Sequence, residues 1–373
     1  GPSPRAAYSS SALSLIRERG IILCYNTLSM TTKSLEEPQI APETQPLCPV
    51  FGECGGCDYQ HISYTKELEI KEAFLKKILH ENLGLDEALM MPVIASPEPY
   101  HYRNRLDLSL RRSKKWGTSV GFQFMGSKRV VPIEACAIAK PAVSDFIPEL
   151  VCDAKANLPD KYRTATLVVK TGDDGRVQWG GIGRGSLKRK PEDYLWTVIN
   201  GKKIFYSLDT FFQANSSILP VLMQKIEEMA QFDQETVFFD LYAGVGLFGI
   251  YFADQVKQTI MVEEVKASAK IMEHAESVFA RVEDSLLDIL RETHEKIKIA
   301  MIDPPRRGLS EEVLQTLIQT KDLERLFYLS CHPDSLIRDL KEFQKAGWEI
   351  QKVIPFDFFP KTRHLETLVQ LKP

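Results

Sequence analysis

The chain is poor in cysteine, in long apolar runs and in net positive charge, and each shortage excludes something. Only seven cysteines occur in 373 residues: Cys24, Cys48, Cys54, Cys57, Cys136, Cys152 and Cys331. They are too few and too clustered for a disulfide scaffold, and such clustering in a reducing compartment points to a metal or catalytic role. No apolar stretch is long enough to span a bilayer. Lys and Arg number 47 against 50 Asp and Glu, a net charge of −3. The overall field therefore does not draw in a polyanion, and any nucleic-acid contact must come from a local patch. What remains, 44% hydrophobic and 26% charged residues, is the composition of a globular protein with room for two domains.

Residues 1–46 read as a tail. Gly1-Pro-Ser-Pro resembles a cleavage scar, the first methionine is Met30, and 35–46 is a Pro-rich linker. The plainer expectation is a natural start at Met30. The alternative is a transit peptide, since Arg5 to Arg19 is Ser- and Arg-rich and nearly free of acids. Cys48, Cys54 and Cys57 follow within ten positions, with two glycines inside the last pair. Glycine lets the backbone turn tightly enough for several sulfurs to converge. Thiolates select zinc or an iron–sulfur cluster, and one CxxC with an outlying cysteine suits a cluster better than the two CxxC pairs typical of zinc. Cys136 is the preferred fourth ligand. Cys152 is the alternative, although its apolar surroundings read as a buried structural thiol.

Tyr64 to Leu79 has the spacing of an amphipathic helix, with its charges expected on a solvated face. From Met91 to about Gln178 the pattern turns to strands. Arg103, Arg105, Arg111, Arg112, Lys114, Lys115, Lys128 and Arg129 are interleaved there with Tyr100, Tyr102, Trp116, Phe122 and Phe124. Cations neutralise phosphates and aromatics stack on unpaired bases, so this stretch is expected to form an RNA-facing surface.

Beyond Gly201 the chain reads as α/β. Gln213 lies in Phe211-Phe-Gln-Ala-Asn215, ahead of a helix that Asn215 or Ser216 is expected to cap. Val237 to Leu241 is a buried strand running into Tyr242-Ala-Gly244-Val-Gly246, a glycine turn at a helix start. Alone this is a weak signal that also fits dinucleotide binding. Glu263, at the end of the next strand, suits the two hydroxyls of a ribose. Asp303-Pro-Pro-Arg306 follows another apolar strand, and Arg306 is placed either to order the site or to meet RNA. Leu326 to Leu329 is a third apolar strand, stopped by Pro333. It leaves Cys331 at a carboxyl strand end, where open α/β sheets bind ligands and where a thiol can act as a nucleophile. Glu366, inward-facing among apolar neighbours, is a carboxylate in need of a partner or a function.

Taken together, these motifs resemble the uracil-5 RNA methyltransferase family, and most closely its 23S ribosomal RNA branch, over residues 47–373. The resemblance implies a Rossmann-like class I methyltransferase domain, residues 59–91 and 205–373. A smaller, mostly β central domain, residues 47–58 and 92–204, would bear the iron–sulfur cysteines. It implies a [4Fe-4S] cluster on Cys48, Cys54, Cys57 and Cys136. It also implies S-adenosylmethionine contacts at Gln213, Tyr242, Gly244, Glu263, Asp284 and Asp303, with Cys331 as nucleophile and Glu366 as general base. His332 stands where the family usually has Asn, and Leu247 where a polar residue is common. The substrate expected is 23S rRNA, with tRNA as the alternative, since the tRNA branch generally lacks the cluster. A non-catalytic iron–sulfur RNA-binding protein is the rival from another class. A cytoplasmic monomer without membrane contact or obligate protein partner is the accompanying expectation.

Overall fold

Apolar runs at Val237–Phe239, Ile299–Ile302 and Leu326–Leu329 have no polar alternation, so helices must cover both faces of the sheet they form. The structure, a computed structural model, describes residues 41–114, 117–124, 127–157, 161–181, 193–272, 277–295 and 297–373. Cys24, Met30, Lys115 and Trp116 lie outside them. In the C-terminal half, α3 (Leu219–Ala230), β8 (Thr236–Leu241), α4 (Leu247–Phe252), β9 (Gln258–Glu263), α5 (Lys266–Ile271), β10 (Ser277–Phe279), α6 (Val282–Glu292), β11 (Ile297–Ile302), α7 (Glu311–Gln319), β12 (Leu323–Ser330), α8 (Pro333–Lys345), β13 (Glu349–Phe356) and β14 (Glu366–Lys372) alternate. The strands form one sheet in the order β10-β9-β8-β11-β12-β14-β13. Neighbours from β10 to β12 are parallel, and β12–β14 and β14–β13 are antiparallel. The expected α/β fold is thus a mixed sheet, because its last two strands are joined directly without a crossover helix.

Period-two alternation divides the strand side chains between two cores. Val237, Phe239, Leu241, Ala300, Ile302, Leu326 and Tyr328 pack on one side. Phe238, Ile299, Met301, Phe327 and Leu329 pack on the other. Earlier in the chain, β1 (Arg105–Ser113), β2 (Gly117–Gln123), β3 (Val130–Pro132), β4 (Thr164–Thr171) and β5 (Val177–Gly181) make an antiparallel sheet in the order β3-β2-β1-β4-β5. Its core includes Leu106, Leu108 and Leu110 of β1 and Val143, Ile147 and Leu150 of α2 (Pro141–Asn157). A hairpin, β6 (Leu195–Ile199) and β7 (Lys202–Tyr206), lies between the two sheets in sequence.

Three local expectations are overturned. The helix α1 (Tyr64–Leu83) does not leave all its charges in water, for Glu67 and Lys71 are buried. Lys71 Nζ donates to Glu67 Oε1 and to Asp357 Oδ1, both at 2.7 Å, and the backbone N–H of Lys361 donates to Glu67 Oε1 at 2.6 Å. The segment after β13 covers that turn of the helix, and ion pairing makes the burial tolerable. An i,i+4 Glu–Lys pair looks the same in sequence whether covered or not. Cys152 is exposed. The buried face of α2 is Val143, Ile147, Leu150 and Ala154, and a residue two positions from Leu150 points away from it. Finally, α3 begins only at Leu219, with Ile218 at its cap. Asn215 instead accepts from the N–H and hydroxyl of Ser217 at 3.0 and 2.7 Å and donates to the Phe358 carbonyl at 3.1 Å, tying two loops together.

Candidate active site

The carboxyl ends of β8, β9, β11 and β12 open on one cavity of about 460 Å³. Its lining includes Gln213, Tyr242, Gly244, Glu263, Asp303, Cys331 and Glu366. Residues far apart in sequence meet here because parallel strands deliver all their carboxyl ends to one edge. Asp284 is not among them. It is exposed on α6, and Glu283, one position and about 100° earlier round the helix, lines the cavity instead.

At one end, the turn after β8 holds Tyr242 at φ 64° and Gly244 and Gly246 at φ 59° and 79°. A left-handed backbone at a non-glycine residue is costly, and such strain clusters at ligand sites. Glu263 accepts the N–H groups of Gly244 at 2.8 Å and Val265 at 2.6 Å. Burial still pushes its carboxyl above the ordinary range. A Cβ on Gly249 would collide with Met261 and meet the Asp240 carboxylate. That glycine allows α4 to close on β9, and its N–H donates to Asp240 Oδ2 at 2.8 Å. Burial raises Asp240 to about 7.

Asp303 sits between the two ends. Gln213 Nε2 donates to its Oδ2 at 3.1 Å, and burial raises Asp303 to about 7 against that hydrogen bond. Gln213 is aimed by Asn104, whose side chain donates to the Gln213 carbonyl at 2.9 Å. At the other end, β12 and β14 pair with Ser330 opposite Thr367. Cys331 and Glu366 are the next residues beyond that pair, and both line the cavity. Glu366 is 4% exposed. Burial, with Asp303 adding to it, drives its carboxyl well above the usual range, and Arg306 opposes that rise. Arg306 Nε is buried without a hydrogen-bond partner. His364, also lining the cavity, is pushed down to about 3 by burial with Arg306 nearby, so its ring is neutral.

Asp339 was not singled out from the sequence, yet it fixes the Asp303–Gly308 loop. It accepts from the Tyr328 hydroxyl at 2.7 Å and the Leu309 N–H at 2.9 Å, and a Cβ on Gly308 would strike it. Its position inside α8 carries no motif, so only the tertiary structure reveals it.

Cys48, Cys54, Cys57 and Cys136 line a second, small cavity with Val50, Phe51, Ile133, Ile138 and Arg103. Burial raises Cys54 to about 11 and Cys57 to about 12, and raises Cys136 as well. Among the described residues no group of three His, Cys, Asp or Glu is placed to hold a single metal ion. The expected basic surface divides in two. Arg111 and Arg129 are exposed, with Arg129 over the Phe124 ring at 4.4 Å. Arg103 and Tyr102 are buried, and Arg105 is paired with Asp107 at 2.7 Å on the wall of the large cavity.

A glycine turn beside a strand-end carboxylate, at the carboxyl edge of a mixed seven-stranded sheet, is the plan of an α/β methyltransferase. The fold is similar to that of the Pyrococcus abyssi tRNA (uracil-54, C5)-methyltransferase, solved with S-adenosyl-L-homocysteine, with a TM-score of 0.64 and 22% identity over 85% of this chain and 86% of that one. Residues 274–373 match the tRNA (Uracil-5-)-methyltransferase family. An uncharacterised RNA methyltransferase of Chlorobaculum tepidum is 27% identical over 91% of this chain and 85% of its own length. One of Synechocystis is 29% identical over 90% and 84%. The chain is thus similar to uracil-5 methyltransferases over residues 274–373 and to RNA methyltransferases over most of its length. No helix of the described residues is long and apolar enough to cross a membrane.

Proposed function

We propose that the protein methylates carbon 5 of a uridine in 23S rRNA through a transient bond between Cys331 and carbon 6 of the base. The observation that supports this most directly is that Cys331 and Glu366, each adjacent in sequence to the paired Ser330 and Thr367, line one cavity. Carbon 5 of uracil is a weak nucleophile. Addition of the Cys331 thiolate to carbon 6 turns the ring into an enolate, nucleophilic at carbon 5. Arg306, with its unpartnered buried Nε, is the cation at that end of the cavity. S-Adenosylmethionine, when bound, supplies an electrophilic methyl group. Glu263 would hold its ribose hydroxyls, and Gln213, Tyr242, Gly244 and Asp303 would line its place. Asp284, exposed outside the cavity, receives no role in this reading.

Glu366 then takes the proton from carbon 5, and the electrons left behind expel the Cys331 sulfur to give 5-methyluridine. A carboxyl raised by burial is a stronger base than one in water, which suits proton abstraction near neutrality. The target base must leave its stack to reach the cavity, at a cost of a few kcal/mol.

The four-cysteine pocket favours the ribosomal substrate through the resemblance of its cysteines to the rRNA branch. Its all-sulfur donors and apolar walls fit an iron–sulfur cluster. Such a cluster takes one thiolate per iron and so spaces its ligands more widely than a single ion does. The match of residues 274–373 to a family named for tRNA favours the second reading, a tRNA substrate. Incubating the protein with labelled donor and bulk rRNA or tRNA, then mapping the labelled base, separates the two. Label in tRNA alone removes the ribosomal reading, and label at any position other than carbon 5 of uridine removes both.

A further inference from the structure

We propose that the four-cysteine pocket acts as a clamp on the segment Phe359–Glu366, so that its effect on the reaction is to place His364 and Glu366. The kinetic half of this inference rests on the reaction proposed above, and the structural half does not. Asp58, next to Cys57, accepts from the Arg363 backbone N–H at 2.9 Å and from its guanidinium at 2.6 and 3.1 Å. The N–H groups of Asp58 and Tyr59 both donate to the Lys361 carbonyl, at 2.8 and 3.1 Å. The Tyr102 hydroxyl donates to the Pro360 carbonyl at 2.9 Å.

Arg103, the next residue, is 3% exposed and lines both cavities. Its backbone is tied to Ile138 at 2.8 Å and Lys140 at 2.7 Å, just beyond Cys136. Its guanidinium carbon lies 5.7 Å from the centre of the Phe359 ring. The segment these contacts grip includes Lys361 at φ 67°, a backbone conformation that a side chain adopts only when its surroundings impose it. Three residues after Arg363 the chain reaches Glu366.

The charge balance gives the clamp its sense. Thiolates gathered on a metal centre are anionic, and Arg103 is the buried cation beside them. When the sulfurs are removed, that anchor is lost, and the shared wall at Arg103 and the loop at Asp58 loosen together. Asp58 and Arg103 are therefore positioning residues, which act through the segment that carries the base.

The test compares Cys57→Ser, Asp58→Asn and Arg103→Met with the unmodified full-length protein. Four readouts are taken: iron and sulfide content, RNA affinity, the ratio of covalent RNA adduct to turnover, and amide hydrogen exchange over residues 357–366. Cys57→Ser is expected to lower iron and sulfide, whereas Asp58→Asn keeps them. All three should exchange faster over 357–366 and bind RNA within about twofold of the unmodified protein. Turnover should fall about tenfold to a hundredfold, the scale of an ångström-size misplacement, while adduct accumulates because proton removal is the impaired step. A tenfold loss of RNA affinity with unchanged exchange over 357–366 would make the pocket an RNA contact and overturn the clamp. So would Asp58→Asn behaving as the unmodified protein in every readout. Should the unmodified protein form no adduct with any RNA, the reaction fails, and the exchange data still decide the clamp.

Discussion

The large cavity and the cysteine pocket share Arg103 as a wall, but they are built by opposite routes. The cavity is delivered by regular structure. Four parallel strands end at one edge, and each contributes the residues that follow its last buried position: Tyr242 after β8, Glu263 at the end of β9, Asp303 after β11 and Cys331 after β12. The pocket has no such frame. Its sulfurs come from the loop at 48–57 and from Cys136, which precedes α2. The cavity is lined by arginines and by carboxyls that burial raises. The pocket is lined mostly by apolar side chains beside Arg103, and burial raises Cys54, Cys57 and Cys136. A site built on strand ends persists with its ligand absent, whereas one built from loops around sulfur depends on what the sulfur binds.

The largest effect that separates the two regions should come from the base. Glu366→Gln removes one proton acceptor and leaves both the nucleophile and the pocket in place. Turnover should fall by about 10²–10⁴-fold, the usual worth of a general base, while the covalent RNA complex becomes long-lived. Denaturing electrophoresis of protein with labelled RNA reads both. Cys331→Ala should lose the adduct as well as the turnover, and an adduct surviving in that variant would remove Cys331 as nucleophile.

Next in size is the buried charge network that joins α1 to the Phe356–Lys361 segment. Lys71→Met leaves Asp357 buried without its cation, while Glu67 keeps Lys361 Nζ at 3.2 Å, and breaking such a buried pair costs about 3–5 kcal/mol. Denaturant titration should show that loss. Lys76→Met, which removes only a partly exposed pair with Glu72, should cost under about 1 kcal/mol. Equal losses in the two variants would mean that the segment beside the cavity is not held from α1.

Sequence made the cavity legible in proportion to how far regular structure fixes it. The Cys331 strand, the glycine turn and Asp303 follow from apolar runs that stop at Gly or Pro. Asp284 shows the limit, since one residue round a helix separates an exposed side chain from the cavity-lining Glu283. Asp339 was illegible because its partners, Tyr328 and Leu309, lie on two other elements. Lys71 was misread because an i,i+4 pair carries no mark of what covers it. Arg103 reads in sequence as part of a basic surface, since nothing local distinguishes a cation facing water from one wedged between two cavities.

The pH dependence of stability should belong to the cavity. Asp240 and Asp303 are raised to about 7 from ordinary values near 3.8. The folded chain therefore binds their protons more tightly than the unfolded chain does. This contribution is complete below about pH 4 and drains away as pH rises through about 7. The melting temperature of ligand-free protein should accordingly fall between pH 5 and 8, and Asp303→Asn should flatten that fall. S-Adenosylmethionine carries a positive sulfonium and should stabilise the protein more at pH 8 than at pH 5. A slope unaltered by Asp303→Asn would take the effect away from this carboxyl.

The smallest expected effect concerns the cysteine that belongs to neither region. Cys152 lies on the solvent face of α2 and is exposed, whereas Cys54, Cys57 and Cys136 are only partly open and held as thiols by burial. Thiol reagents attack the accessible thiolate, so Cys152 should react ahead of the three buried pocket thiols. Cys152→Ser should abolish that fast phase while changing stability by less than about 0.5 kcal/mol, as surface substitutions do, with iron binding untouched. A loss of bound iron in this variant would make Cys152 a ligand in place of Cys136. The clamp would then be anchored from the solvent face of α2 rather than from the wall that carries Arg103.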